Sequence, residues 1–316
     1  MQTAPNNLFD LPREFSSLES AGVIVVPLGF EKSVSFGRGT KNGPEAIISA
    51  SRQVELFDEE LWQETYKKVG IVTLKAILAG SFSSLEKQIG AVLREILPTK
   101  KLPIVLGGEH SITPFIIGAY KKAGYENFSI LQFDAHADLR DGYLGQKYSH
   151  AAAMRRSLDF DGVSPHTKIK QRQDNNQAQT FGVGVNLVQV GIRNISNEND
   201  ELVFWEKNQG RIKTFWAKDK KKWKISEIVG ALKKNVYLTF DVDVFDSGIM
   251  PSTGTPEPGG LDWYETLDIL RAVCKNKKII GADFVELAPI KGLPAPDFLA
   301  AKLIYKTIGY IYNKNK

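Results

Sequence analysis

The chain has 316 residues, 42% hydrophobic and 24% charged, the balance of an ordinary globular enzyme with length enough to bury a substantial core. The net charge of +5 gathers largely at Lys218, Lys220, Lys221, Lys222 and Lys224, a run read as a solvated loop; no aromatic stacking platform or nucleic-acid motif accompanies it, so no nucleic-acid partner is expected. A single cysteine, Cys274, excludes an intrachain disulfide, and neither a signal-like N-terminus nor eighteen consecutive apolar residues occur, so a cytoplasmic protein without a membrane span is expected.

In chain order, residues 23–26 and 69–72 read as short apolar strands and 83–97 as an amphipathic helix. Strand 103–106, helix 113–123 and strand 128–133 follow. The segment 159–182 is polar, glutamine-rich and without apolar periodicity; it reads as a surface excursion and not as a domain boundary. Strand 187–190, an amphipathic stretch at 225–232, strand 236–240, helix 263–273 and strand 279–285 complete the series. Most strands are apolar on both faces, as expected of a parallel sheet buried between helices. The alternation predicts one α/β domain over 1–316 whose ligands bind beyond the carboxyl ends of the strands.

Three strand ends carry metal-capable side chains. Asp134, His136 and Asp138 recur at every second residue, which in extended backbone points them to one side. Asp241 and Asp243 repeat the spacing, and Glu109-His110 follows strand 103–106. Buried together, such acids repel and desolvate badly unless a cation lies among them. The four aspartates with His110 and His136 are enough for two ions sharing bridging carboxylates. Oxygen donors with imidazole and no thiolate favour manganese or a similar divalent ion over structural zinc. Two adjacent ions would activate a shared water for hydrolysis.

Other residues carry two readings. His150 is either a bystander beside an N-cap Ser149 or an uncoordinated proton-transfer group at the rim. Glu286, at the end of strand 279–285, is either structural or a substrate-binding anion. Thr253 opens a turn-rich loop to Gly260 whose address suits a pocket wall, and it is a substrate-binding candidate. Gly107-Gly108 permits a tight turn, Glu109 either supports the metal site or engages a helix N-terminus, and His166 is read as a surface residue.

Gly-Gly-Glu-His-Ser (107–111), Asp-Ala-His-Ala-Asp (134–138), Ser-His (149–150), Asp-Val-Asp (241–243), Gly-Thr-Pro-Glu-Pro-Gly-Gly (254–260) and Glu286 occur in the order found in the arginase/agmatinase (ureohydrolase) family, which the chain resembles over nearly its whole length. Residues 34–40, 43–47 and 55–60 resemble the agmatinase branch. The resemblance implies a three-layer α/β/α sandwich on a mostly parallel sheet, in trimers or hexamers. It implies two Mn2+ per subunit, one on His110, Asp134, Asp138 and Asp241 and the other on Asp134, His136, Asp241 and Asp243. Asp138 thus counts among the catalytic candidates as well as the ligands. His150 would be the proton shuttle and Glu286 the partner of the guanidinium.

Arginases hold the amino-acid end of arginine with an asparagine two residues after the Asp-x-His-x-Asp motif, and 139–143 lacks it. The implied reaction is therefore hydrolysis of the linear amidine agmatine to putrescine and urea, in polyamine biosynthesis. Asp141 or another rim acid would receive the far ammonium, Tyr143 or Tyr148 would pack along the chain, and Arg140 would point away or pair with an acid. The alternatives are aminopropylagmatine, guanidinobutyrate, arginine or a formiminoglutamase reaction, and, outside enzymes, a silent binding protein on the same fold; the six intact candidate ligands speak against the last.

Overall fold

The computed structural model describes residues 1–160 and 184–313; the polar excursion, apart from its first two residues, and His166 lie outside them. The strands in chain order are β1 (Val23–Leu28), β2 (Phe57–Asp58), β3 (Gln63–Glu64), β4 (Ile71–Thr73), β5 (Leu102–Gly107), β6 (Ser129–Phe133), β7 (Asn186–Ile192), β8 (Ile212–Trp216), β9 (Asn235–Asp241) and β10 (Lys278–Val285). The helices are α1 (Gly43–Ser51), α2 (Thr65–Val69), α3 (Phe82–Ile96), α4 (Thr113–Lys122), α5 (Ala153–Leu158), α6 (Glu201–Lys207), α7 (Ile225–Ala231), α8 (Trp263–Asn276) and α9 (Ala295–Tyr312).

Among the described residues, eight strands form one sheet in the order β4-β1-β5-β10-β9-β6-β7-β8, every pair parallel; β2 and β3 make a separate antiparallel hairpin. Alternation along each strand divides the core. Val23 and Val25 of β1 pack on the side of α1, α8 and α9, whereas Ile24, Val26 and Leu28 pack on the side of α3, α4 and α5. This is the three-layer α/β/α arrangement expected. Because both faces are covered, β1, β5, β6 and β7 are buried at every residue.

Helix α3 shows why a segment takes its place. Ser81 caps it by accepting from Ser84 N, and Leu85, Ile89, Leu93 and Ile96 form a single stripe, all fully buried. Each such side chain contributes about 1.5–3 kcal/mol on burial. Helix α8 begins at a capping box between Asp262 and Glu265. Several elements escape the sequence pattern, β8 and α9 among them. Strand β8 lies at the sheet edge with Lys213 exposed, and α9 buries most of its circumference and so carries no single apolar stripe.

Chain order and sheet order part company in the middle. From β5 the chain crosses through α4 to β6, leaving a gap of two strands that β9 and β10 fill only after β7 and β8 have been laid outward. The carboxyl ends of β5, β10, β9 and β6 therefore stand side by side at a topological switch point, the usual place for a ligand crevice.

Candidate active site

Each of these four strands delivers its polar residues at once. β5 runs into Gly107-Gly108 and then Glu109-His110; side-chain methyls crowd the first glycine, and backbone leaves no room for a Cβ on the second. A Cβ on Gly107 would lie 2.4 Å from Ile112 Cδ1, and one on Gly108 would lie 2.1 Å from the Phe30 carbonyl oxygen. β10 is followed at once by Glu286, β9 ends in Asp241 with Asp243 two residues on, and β6 is followed by Asp134, His136 and Asp138.

The side chains meet, although 134–138 is not continuous extended backbone and Asp138 turns into left-handed geometry. His110 Nδ1 lies 3.0 Å from Asp134, 3.2 Å from Asp138 and 3.4 Å from Asp241, and His136 Nδ1 lies 2.9 Å from Asp243 and 3.7 Å from Asp134. Donor atoms of His110, Asp134 and Asp138 form one group compact enough to hold a metal ion, and those of Asp134, His136 and Asp243 form a second. Asp134, Asp138, Asp241, Asp243 and Glu286 are all buried. Burial, then the charge of Asp134, pushes Asp138 up to about 7. Burial, then Asp243 and Asp134, holds Asp241 well above the usual carboxylate range, and burial does the same for Glu286. Burial opposes charge on His110 and His136 too, but the surrounding carboxylates raise both. Acids so crowded fit divalent cations, and the buried His110 Nδ1, which makes no hydrogen bond, supplies a lone pair among them.

The support behind these groups is specific. His110 Nε2 lies 2.8 Å from Thr239 Oγ1, which donates at 2.6 Å to the fully buried Asp283; Tyr237 and Thr113 donate to the same carboxylate. This fixes the imidazole with Nδ1 turned to the acids. Gln132 donates to Asp134, and Asp243 accepts from Ala135 N while its own N–H bonds Asp241. Arg193 donates to the carbonyls of Asp243, Phe245 and Glu257, tying the loop after β9 to the turn-rich loop. Two acids stand in left-handed backbone, Asp138 at φ 54° and Glu286 at φ 66°, a conformation costing about 1–3 kcal/mol each. They are held there by backbone bonds, from Met154 N and Arg155 N to the Asp138 carbonyl and from Glu286 N to the Gly108 carbonyl.

These groups line a cleft of about 190 Å³. Its walls include Thr253 and Thr255 of the turn-rich loop, the exposed Phe36, and Tyr143; its acids beyond the candidate ligands and Glu286 are Glu201 and Glu257. His150 lies at the rim, its ring edge-on to Tyr143; burial, then the positive charge of His136 and His110, pushes it down to about 4.

Four expectations are corrected. Asp141 does not face the cleft: Arg155 at 3.3 Å and Arg156 occupy its carboxylate. Tyr148 is buried against Phe115 and Phe82 instead of lining the cleft. Ser149 precedes the helical turn at His150–Ala152, but its hydroxyl makes no cap bond. Glu109 does not cap a helix; its carboxylate accepts from the backbone of Lys32 and Ser33 and from the hydroxyls of Ser33 and Ser111. Arg140 does find acids, lying 3.6 Å from both Glu198 and Glu201, and its guanidinium stacks 4.6 Å from the Tyr143 ring centre.

A family model described as Arginase family matches residues 21–309. The chain belongs to the arginase family. It is an enzyme, a ureohydrolase of that family, whose members use a binuclear metal centre. An N(1)-aminopropylagmatine ureohydrolase of Synechocystis sp. is 35% identical over 97% of this chain and 96% of its own. An agmatinase of Pyrococcus horikoshii is 30% identical over 95% and 96%. The crystal structure of agmatine ureohydrolase of Thermoplasma volcanium superposes with a TM-score of 0.78 at 25% identity, covering 98% of this chain and 94% of that one.

Sequence reasoning missed Ser33, Asn194, Glu201 and Arg193. Asn194, which donates at 2.7 Å to Glu257, follows the end of β7 and was open to the strand-end rule. Ser33 and Glu201 lie in stretches with no local signal.

Proposed function

We propose that this ureohydrolase acts on N(1)-aminopropylagmatine, releasing urea and a triamine. The observation that carries the reading is the 35% identity, over nearly the full length of both chains, to the relative of that name; the agmatinase stands at 30%. The substrate expected from sequence, agmatine, thus becomes the second reading. The mouth of the cleft offers a place for the far end of the substrate. Agmatine offers one cationic nitrogen beyond its guanidinium, and an aminopropyl extension adds another. Asp141 is taken by two arginines and Glu201 by Arg140 and two backbone N–H groups, so Glu257, a third exposed at the mouth, is the acid placed to meet an amine nitrogen. Phe36 and Tyr143 give the methylene chain apolar walls.

In this reading His110, Asp134, Asp138 and Asp241 hold one divalent ion, and Asp134, His136, Asp241 and Asp243 the other, with manganese favoured by the oxygen-rich set. Bound there, divalent ions would supply a nucleophile at neutral pH by lowering the pKa of a coordinated water. The chain's own residues do the rest. Glu286, with one oxygen already accepting from His110 N at 2.6 Å, keeps its other oxygen for the guanidinium N–H groups. His150 moves a proton to the departing amine nitrogen. Thr253 and the turn-rich loop bound the guanidinium from one side.

The test is urea release from aminopropylagmatine, agmatine, arginine and guanidinobutyrate, compared by kcat/KM. Aminopropylagmatine should exceed agmatine by roughly tenfold, the scale of one added charge contact. A preference for agmatine would return the reading to that substrate, and a preference for arginine would overturn both.

A further inference from the structure

Outside the ring of candidate ligands, one buried carboxylate is committed to the back of His150. Glu109 is fully buried, and Oε2 accepts from Lys32 N at 2.8 Å and Ser33 N at 2.7 Å. Its Oε1 accepts from Ser111 Oγ and, at 3.0 Å, from Ser33 Oγ. The Ser33 hydroxyl in turn lies 2.9 Å from His150 N and 3.2 Å from His150 Nδ1.

A hydroxyl has one proton and two lone pairs. The proton of Ser33 goes to Glu109 Oε1, on a carboxylate whose every other contact is also an accepted hydrogen bond. Both lone pairs then face His150, one receiving its backbone N–H. The contact to Nδ1 is satisfied only if Nδ1 carries the ring proton. His150 is thereby fixed as the Nδ1–H tautomer, leaving its Nε2 lone pair for the proton it transfers.

We propose that Ser33 and Glu109 form a relay behind His150, Glu109 orienting the Ser33 hydroxyl and Ser33 setting the tautomer and angle of the imidazole. The relay rests on the assignment of His150 as the proton-transfer group. In that reaction Nε2 takes one proton from the attacking water and delivers it to the amine nitrogen as the C–N bond breaks, so the ring returns to its neutral Nδ1–H form. While the ring is charged, Nδ1–H still donates to Ser33, whose own proton points at the Glu109 carboxylate, so the positive charge is met by an ordered dipole and an anion. Ser33 and Glu109 are positioning residues: they act on the reaction only through the imidazole.

The experiment is a double-mutant cycle on the metal-loaded enzyme, with kcat, KM and bound metal measured for Ser33→Ala, His150→Asn and the pair. Ser33→Ala should lower kcat roughly 10- to 100-fold, the range for misplacing a general acid–base, with KM within about twofold and metal content unchanged. Ser33→Thr, which keeps the hydroxyl, should recover most of that loss. Adding Ser33→Ala to His150→Asn should cost less than about twofold further, since a residue acting through the imidazole has nothing left to act on. If Ser33→Ala proves insoluble, Ser33→Cys, similar in size but poor at hydrogen bonding, takes its place in the same cycle.

A full additional loss in the His150→Asn background would overturn the relay, showing Ser33 to matter for structure alone. So would a Ser33→Ala enzyme with normal kcat. If His150→Asn itself turned over normally, the role of His150, and not the relay alone, would fall.

Discussion

Thr239→Val isolates the support behind one candidate metal ligand. The substitution keeps shape and removes the hydroxyl that lies 2.8 Å from His110 Nε2 and donates at 2.6 Å to Asp283. Two groups lose a partner. Asp283 retains Tyr237 at 2.7 Å and Thr113 at 3.1 Å but loses its shortest bond, and a hydrogen bond to a buried charged group is worth about 1.5–3 kcal/mol. The His110 Nε2–H is left buried and unpaired at a further cost of about 1–3 kcal/mol. Together these put the destabilisation of the metal-free protein at about 2.5–6 kcal/mol, or on the order of 4–9 °C in Tm. The imidazole also loses the contact that turns Nδ1 toward the acids, so divalent-metal affinity should fall roughly 10- to 100-fold. Calorimetry of the metal-free variant gives the first quantity and competition with a chelator the second, while Thr239→Ser should restore most of both. A variant that bound metal within twofold of wild type and melted within about 1 °C of it would refute the reasoning.

Changing Asp134 or Asp241 to Asn should leave no measurable urea release and lower the metal found by elemental analysis, because the proposed reading would have each serve both ions; normal turnover with normal metal content would remove that assignment. Glu286→Gln should raise KM or lower kcat/KM by roughly a hundredfold with metal content intact, since it weakens a charge-assisted contact without touching a ligand. Chelated enzyme should regain activity best with manganese, and full activity in the metal-free state would exclude a metal-dependent reaction. Lys121, whose ammonium donates to the carbonyls of Ser157 and Leu158, has its pKa pushed down to about 8 by burial. Below pH 8 the cost of burying its charge is fully present. Between pH 8 and 10.5 the folded chain sheds a proton that the unfolded chain still binds, so stability rises with pH. Relative to Lys121→Met, wild type should gain up to about 3 kcal/mol over that window; parallel denaturation curves at both pH values would show the lysine is not shifted.

What was legible in the sequence was what repeats at short range. Buried strands announce themselves as apolar runs, and residues that follow them immediately, such as Asp134, Asp241, Glu286 and His110, inherit a predictable address at the strand ends. Strand β8 was missed because Lys213 and Thr214 interrupt its apolar character at an edge, and α9 because burial on nearly every side erases periodicity. Ser33 stands 117 residues from His150 and 76 from Glu109, and only the fold brings them together. Asp141 misled for the opposite reason: its address near the motif was right, but two arginines from α5 had already taken its charge.

The strand order has a consequence for how the protein is made. His110 and Asp134 leave strands β5 and β6, which do not touch; β10 and β9 stand between them, and these are the last two strands to be synthesised. Until residues 235–285 have emerged, the two halves of the sheet carry unpaired inner edges, and the donors that must converge have no frame to converge upon. Long-range parallel pairing of this kind folds slowly and exposes edges to aggregation meanwhile. A nascent chain halted before β9 would therefore lack the complete donor set, so tight metal uptake would mark the chains that have finished folding.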